Sequence, residues 1–183
     1  MATLKELQGK YVIDPAHSRL GFIARHAMVT KVRGSFDEFE GYAIGAGENL
    51  EDSTIEVHAK TTSIQTGNQA RDKHLRSGDF FDAENNPEVI FKSTKVEIVD
   101  EETLNVTGDL TVAGKTNSLT IPFEFGGSVV DAYGNTRIGF EGLTKISRKE
   151  FGLTWNAALE AGGVMVGDVV TLEIEIAATK QED

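Results

Sequence analysis

Chemistry in this chain would have to come from four histidines and the acids near them. His17, His26, His58 and His74 are its only histidines, and there is no cysteine. Asp14-Pro15-Ala16-His17-Ser18 sets an acid, an imidazole and a hydroxyl close together, the raw material of nucleophilic catalysis. The same five residues are better suited to a turn. Asp before Pro starts turns, and short polar side chains close them through local hydrogen bonds. No G-x-S-x-G elbow presents a nucleophile. H-x-H and H-E-x-x-H are missing, and without thiols no cysteine-zinc site is possible. Both glycine-rich phosphate-loop patterns are absent as well. The residues thus argue for a non-enzymatic protein with no cofactor, and an acid–base role for His26 or His74 ranks last.

The remaining polar candidates depend on where the chain places them. His58 falls on the polar face of a strand pattern, and His26 continues an inward series behind Phe22 and Ala24. Arg71, His74 and Leu75 share a face at helical spacing. Arg71-Asp72 and Arg148 with Glu150 read as ion pairs that anchor a helix and a loop.

Strand patterns dominate the chain. Leu20-Phe22-Ala24-His26, Ile55-Val57-Ala59, Leu104 to Val112, Leu119-Ile121-Phe123-Phe125 and Leu172-Ile174-Ile176 each alternate with polar or small residues. Period two with one apolar face predicts antiparallel strands. Turn residues lie between them at Gly45-Ala46-Gly47, Asp100-Glu101-Glu102, Ala113-Gly114-Lys115 and Asp131 to Asn135. No helical crossover separates the runs, so the expectation is an all-β, up-and-down barrel or sandwich of about eight strands. One segment differs. Thr66 to Gln69 reads as a capping box and Gly78 as a left-handed helix end, which predicts a short helix over one end of the barrel. Asp72 and Arg76 stand four apart in the favourable order on it.

The 183 residues fit a single domain, with residues 1–8 and 179–183 expected to be flexible. Eighteen basic residues against 29 acidic ones give a net charge of −11. That field disfavours nucleic acid and anionic membrane surfaces, and no basic stripe is evident to offset it. No apolar run approaches the ~20 residues of a transmembrane helix, and no signal-peptide pattern opens the chain. A cytoplasmic location follows as the expectation, with export if a leader has been removed. A homodimer is compatible with a small barrel.

Ten Phe against one Trp and three Tyr mark the apolar inventory, and Phe22, Phe36, Phe91, Phe123, Phe125 and Phe140 fall on strands. Gly21, Gly34, Gly41, Gly108, Gly139 and Gly142 lie in or beside strands, where the simplest reading is barrel curvature. An eight-stranded barrel is either filled by its side chains or holds one ligand. Periodicity states which residues face in, not which outcome holds. A solid barrel serving as a structural or protein-interaction module is therefore the alternative.

A set of motifs decides more. Asp14-Pro15-Ala16-His17-Ser18, Arg71-Asp72-Lys73-His74-Leu75, Gly78-Asp79-Phe80-Phe81-Asp82, Gly108-Asp109-Leu110-Thr111 and Ser147-Arg148-Lys149-Glu150-Phe151-Gly152 occur in this order. Together they resemble the YceI-like family from about Tyr11 to Ile176. The resemblance implies an extended lipocalin-like antiparallel barrel with a short helix near one end. It also implies an elongated apolar cavity for a long-chain isoprenoid, fatty acid or fatty amide. On that reading the ligand-binding residues are Phe22, His26, Phe36, Arg71, His74, Leu75, Phe91, Leu110, Phe123, Phe125 and Phe140. Arg71, His74 and Arg25 are the candidates to meet a polar head group.

Overall fold

The structure is a computed structural model and describes residues 3–157, 159 and 165–181. Its strands are β1 (Gln8–Ile13), β2 (Arg19–His26), β3 (Thr30–Phe36), β4 (Phe39–Ala46), β5 (Thr54–Lys60), β6 (Ile64–Gln65), β7 (Glu88–Ile98), β8 (Thr103–Val112), β9 (Lys115–Val130), β10 (Thr136–Ser147) and β11 (Val169–Lys180). One helix, α1 (Gln69–Arg76), interrupts them between β6 and β7.

All strand pairings are antiparallel and form one sheet. Eight strands close a ring in the order β1-β4-β5-β7-β8-β9-β10-β11, and β11 returns to β1 through Tyr11 opposite Lys180 and Ile13 opposite Ala178. Three of the eight walls are broken strands. The Pro15–His17 turn splits β1 from β2, Asp37 and Glu38 split β3 from β4, and Thr61–Ser63 splits β5 from β6. Counted as walls, the order is an up-and-down barrel of eight, as the turn spacing predicts. β11 carries β1 on its C-terminal half and β2 on its N-terminal half. Below the breaks, β2, β3 and β6 continue as a flap, and β6 does not pair with β7. Residues 66–87, including α1, occupy that seam.

Two packed clusters lie at opposite ends of the barrel. At one end Leu4, Leu7, Tyr11 and Leu50 join Val96, Leu104, Val106, Phe125, Ile138 and Ala178. Leu4, Leu7 and Leu50 come from short turns outside the strands, so they plug that end. At the helix end Phe151 and Leu153 pack on Leu110 and Val112. Leu4 is buried, and Thr179 and Lys180 pair with Val12 and Tyr11.

The helix begins later than the sequence suggests. Asn68 is its N-cap, accepting the Arg71 N–H at Oδ1, and Thr66 is spent elsewhere. Thr66 donates from both N and Oγ1 to Asp72 Oδ1, at 2.8 and 2.6 Å. Arg71 donates to Thr66 Oγ1 and to the Thr66 carbonyl. Asp72 is buried, so its oxygens serve this knot and not Arg71 or Arg76 as an ion pair. Gly78 is not left-handed. The helix ends at Ser77, whose hydroxyl donates to the His74 carbonyl.

Candidate functional site

Between the two clusters the barrel is hollow. The cavity offers about 330 Å³ to the centres of water-sized molecules. A single buried water needs ~10–15 Å³, so the lumen has room for far more than one. This lumen weighs against the solid-barrel alternative. Inward residues such as Phe22, Phe123, Leu172 and Ile176 are only half-buried because they border it.

Glycine explains how ten phenylalanines leave that space open. Phe22 lies directly across from Gly34, and Phe123 across from Gly142. A Cβ on Gly34 would stand 2.4 Å from the Phe22 Cζ, and one on Gly142 would stand 2.5 Å from the Phe123 ring. Phe91 covers Gly108 in the same way at 2.5 Å. Each ring lies flat over a strand where any side chain would push it off. Aromatic residues thus coat the wall, and the glycines serve close approach as well as curvature.

Seven of the eleven predicted ligand residues line the cavity: Phe22, Phe36, Leu75, Phe91, Leu110, Phe123 and Phe140. Four do not. Phe125 is buried in the plugged-end cluster, its ring 5.1 Å from Phe140. His26 is exposed at the tip of β2, where it bridges to Val166. Arg71 is committed to Thr66. His74 Nε2 donates to Asp79 Oδ2 (2.8 Å), and the ring packs edge-on against Phe80 and Trp155, with centroids 5.1 and 4.5 Å away. Arg25, a third head-group candidate, is exposed on the outer face.

The cation that does line the cavity is Arg148, which is only 4% exposed. It makes no ion pair with Glu150 among the described residues, which corrects the sequence expectation. Its guanidinium donates instead to the carbonyls of Gly167, Leu153, Trp155 and Val166. Those four bonds use four of its five N–H groups. Burial lowers its proton affinity, opposed by the nearby Asp168 charge, yet arginine stays protonated at physiological pH. Asp168 is held by the Ser147 hydroxyl and the Lys149 N–H. Arg148 thereby folds residues 151–157 and 165–168 into the floor of the helix end, where the Trp155 and Phe80 rings lie tilted against each other, 5.4 Å apart, beside His74 of α1. Sequence reasoning missed Phe80, Phe81, Phe151 and Leu153 as site residues because loops carry no period. The adjacent pair Phe80-Phe81 in a polar loop was the available signal.

The other histidines stay outside. His17 Nδ1 lies 2.7 Å from Asp14 Oδ2, while Asp14 Oδ1 accepts the Ala16 N–H, the turn that the Asp-Pro pattern favours. Arg137 binds the same carboxylate at 2.8 Å and Asp131 at 2.7 Å. His58 sits on the outer wall between Glu88 and Glu56, and is paired where the sequence suggests simple solvation. Among the described residues no cluster of three or more potential ligands could hold a metal. No described helix is long and apolar enough to cross a membrane.

A broken-strand barrel with an apolar lumen and a helix across its seam defines the class as a lipocalin-like β-barrel. Residues 11–178 match the family model described as the YceI-like domain, and the chain belongs to that family. It is 41% identical over 143 residues to a UPF0312 protein of Vibrio parahaemolyticus, covering 77% of this chain and 76% of that one. Among solved structures, BcnA of Burkholderia cenocepacia superposes with a TM-score of 0.80 at 22% identity, covering 91% of this chain and 99% of BcnA. A domain of Saccharophagus degradans described as polyisoprenoid-binding superposes with a TM-score of 0.69 at 14% identity, covering 93% and 98%.

Proposed function

We propose that the protein binds one long, mostly apolar molecule along the barrel axis and stores or carries it, with no chemical step. The apolar lumen of about 330 Å³ carries this reading. The polyisoprenoid-binding description of the Saccharophagus domain supports an isoprenoid or fatty chain as the ligand type. Size selection follows from energetics. Each buried CH₂ contributes about 0.8 kcal/mol, and association costs about 4–15 kcal/mol. Micromolar affinity, about 8 kcal/mol, therefore needs on the order of 15 buried carbons or more. Short acyl chains do not reach it.

The lining offers almost no polar surface, and the Arg148 guanidinium at the helix end is spent on four carbonyls, so the ligand is held by apolar contact along the barrel. Native mass spectrometry of protein purified from its own cells, followed by extraction, tests the reading. A stoichiometric long-chain molecule supports it. A bare mass that persists after incubation with polyprenyl and long fatty ligands sinks it.

A further inference from the structure

We propose that the β2–β3 hairpin docks the helix end of the barrel onto an anionic phospholipid surface. The chain is acidic overall, yet residues 15–36 hold Arg19, Arg25, Lys31 and Arg33 and no acid. The structure gathers three of these on one face near the tip. Phe22, Ala24 and Leu20 face the lumen, so their neighbours Ile23 and Arg25 face outward. Arg25 stands directly opposite Lys31, and Ile23 opposite Arg33. Like charges placed directly across a strand pair destabilise it, so folding alone does not account for the arrangement. The nearest acids in the ladder, Glu173 and Glu175, oppose Gly21 and Arg19 at the far half of β2.

The tip between these cations is apolar and bare. Met28 is 61% and Val29 77% exposed, and Ala27 and Met28 turn the chain with φ of 51° and 60°. Turns of that hand favour glycine and asparagine, so a methionine there is not chosen for the turn. An apolar tip flanked by cations suits a bilayer interface, where the tip enters the acyl boundary and the cations meet lipid phosphates. The opposite end carries Glu48, Glu51 and Asp52, then Glu97, Asp100, Glu101 and Glu102, with no base in either run. A charge asymmetry of this kind turns the hairpin toward a negative surface although the net charge opposes approach. Docking there presents the end of the cavity walled by α1 and the Arg148 loops, where a membrane-dissolved ligand of the proposed kind would exchange. That purpose rests on the carrier reading, whereas binding to vesicles does not.

Co-sedimentation with phosphatidylcholine vesicles, with and without phosphatidylglycerol, tests the docking. Binding is expected only with phosphatidylglycerol and is lost between about 0.1 M and about 1 M salt, as the screening length falls from ~10 to ~3 Å. Each surface cation is worth roughly five-fold, so Lys31→Glu with Arg33→Glu lowers binding by at least about 25-fold. Met28→Asp with Val29→Asp also abolishes it. Both double variants alter exposed residues and should retain a fluorescent long-chain fatty acid in the cavity as the parent does. No pelleting with phosphatidylglycerol at low salt overturns the proposal, as does pelleting that the hairpin variants leave unchanged. A protein that pellets with vesicles but retains no long-chain ligand would overturn the carrier reading and leave the docking intact.

Discussion

Phe22 and Gly34 face each other across β2 and β3, and the phenyl ring occupies the space that a side chain at position 34 would need. The same relation joins Phe123 to Gly142. Openness of the lumen therefore depends on the absence of a methyl group at a few wall positions. Replacing Gly34 by Ala should lift Phe22 off the strand and into the lumen, at about 1–3 kcal/mol of overpacking. Urea denaturation should show that loss. Displacement of a fluorescent long-chain ligand should show weaker binding, and unchanged affinity would mean that the ring can settle elsewhere.

Arg148 is the polar keystone of the helix end, since its guanidinium serves four carbonyls from two separate loop segments. Arg148→Met keeps most of the packing volume and leaves those carbonyls without their donor. Buried hydrogen bonds to a charged group contribute about 1.5–3 kcal/mol, so the variant should lose at least about 3 kcal/mol. Hydrogen exchange should locate the loosening in residues 148–157 and 165–168. Uniform exchange across the chain would instead show that the loops are held by Trp155 and Phe151.

Thr66 and Asp72 tie the start of α1 to the seam. Asp72→Ala leaves the Thr66 N–H and hydroxyl without an acceptor, at about 1–3 kcal/mol. Because α1 spans the gap between β6 and β7, ligand release should accelerate more than overall stability falls. Stopped-flow transfer of a fluorescent ligand to vesicles measures the first, and thermal unfolding the second. Equal release rates would remove the seam as the route.

His58 gives the outer wall a pH dependence. Burial alone lowers its pKa, but hydrogen bonds and charge from Glu88 and then Glu56 outweigh that and raise it above the ordinary 6.5. Its contribution to stability is thus complete below pH 6.5 and is lost as pH climbs through the raised value. His58→Gln should flatten the stability profile just above pH 6.5 and leave the acid side to other groups. Asp131 acts in the opposite sense. The Arg137 bond, followed by the Asn135 N–H, lowers its carboxyl to about 2, so its contribution holds above pH 3.8 and fades as acid approaches that value. Nuclear magnetic resonance titration of both side chains checks these directions.

The walls of the barrel were legible because each one alternates, as in Leu104-Val106-Gly108-Leu110-Val112, whose outward partners are Asn105, Thr107, Asp109 and Thr111. The hollow was not. Whether Phe22 fills the lumen or lies on Gly34 depends on cross-strand register, which no local pattern encodes. The placement of the cations was not legible for a related reason. Arg71 sits at helical spacing beside His74, but the Thr66 oxygens capture it, while Arg148 lies in an irregular loop whose carbonyls converge only after folding. The helix start shifted by two residues because Thr66, a good cap on paper, found a buried carboxylate instead of the backbone.

Tyr11 meets Lys180 across the ring, so the first and last strands close the barrel together. Without β11 the ring cannot close, so a sheet formed by the other walls would keep two unpaired edges and an open apolar side. Closure of so long a loop is slow, and such edges invite pairing with other chains. A long-chain lipid lying in that trough before the seam seals would shield the surface during synthesis and leave the finished molecule already loaded.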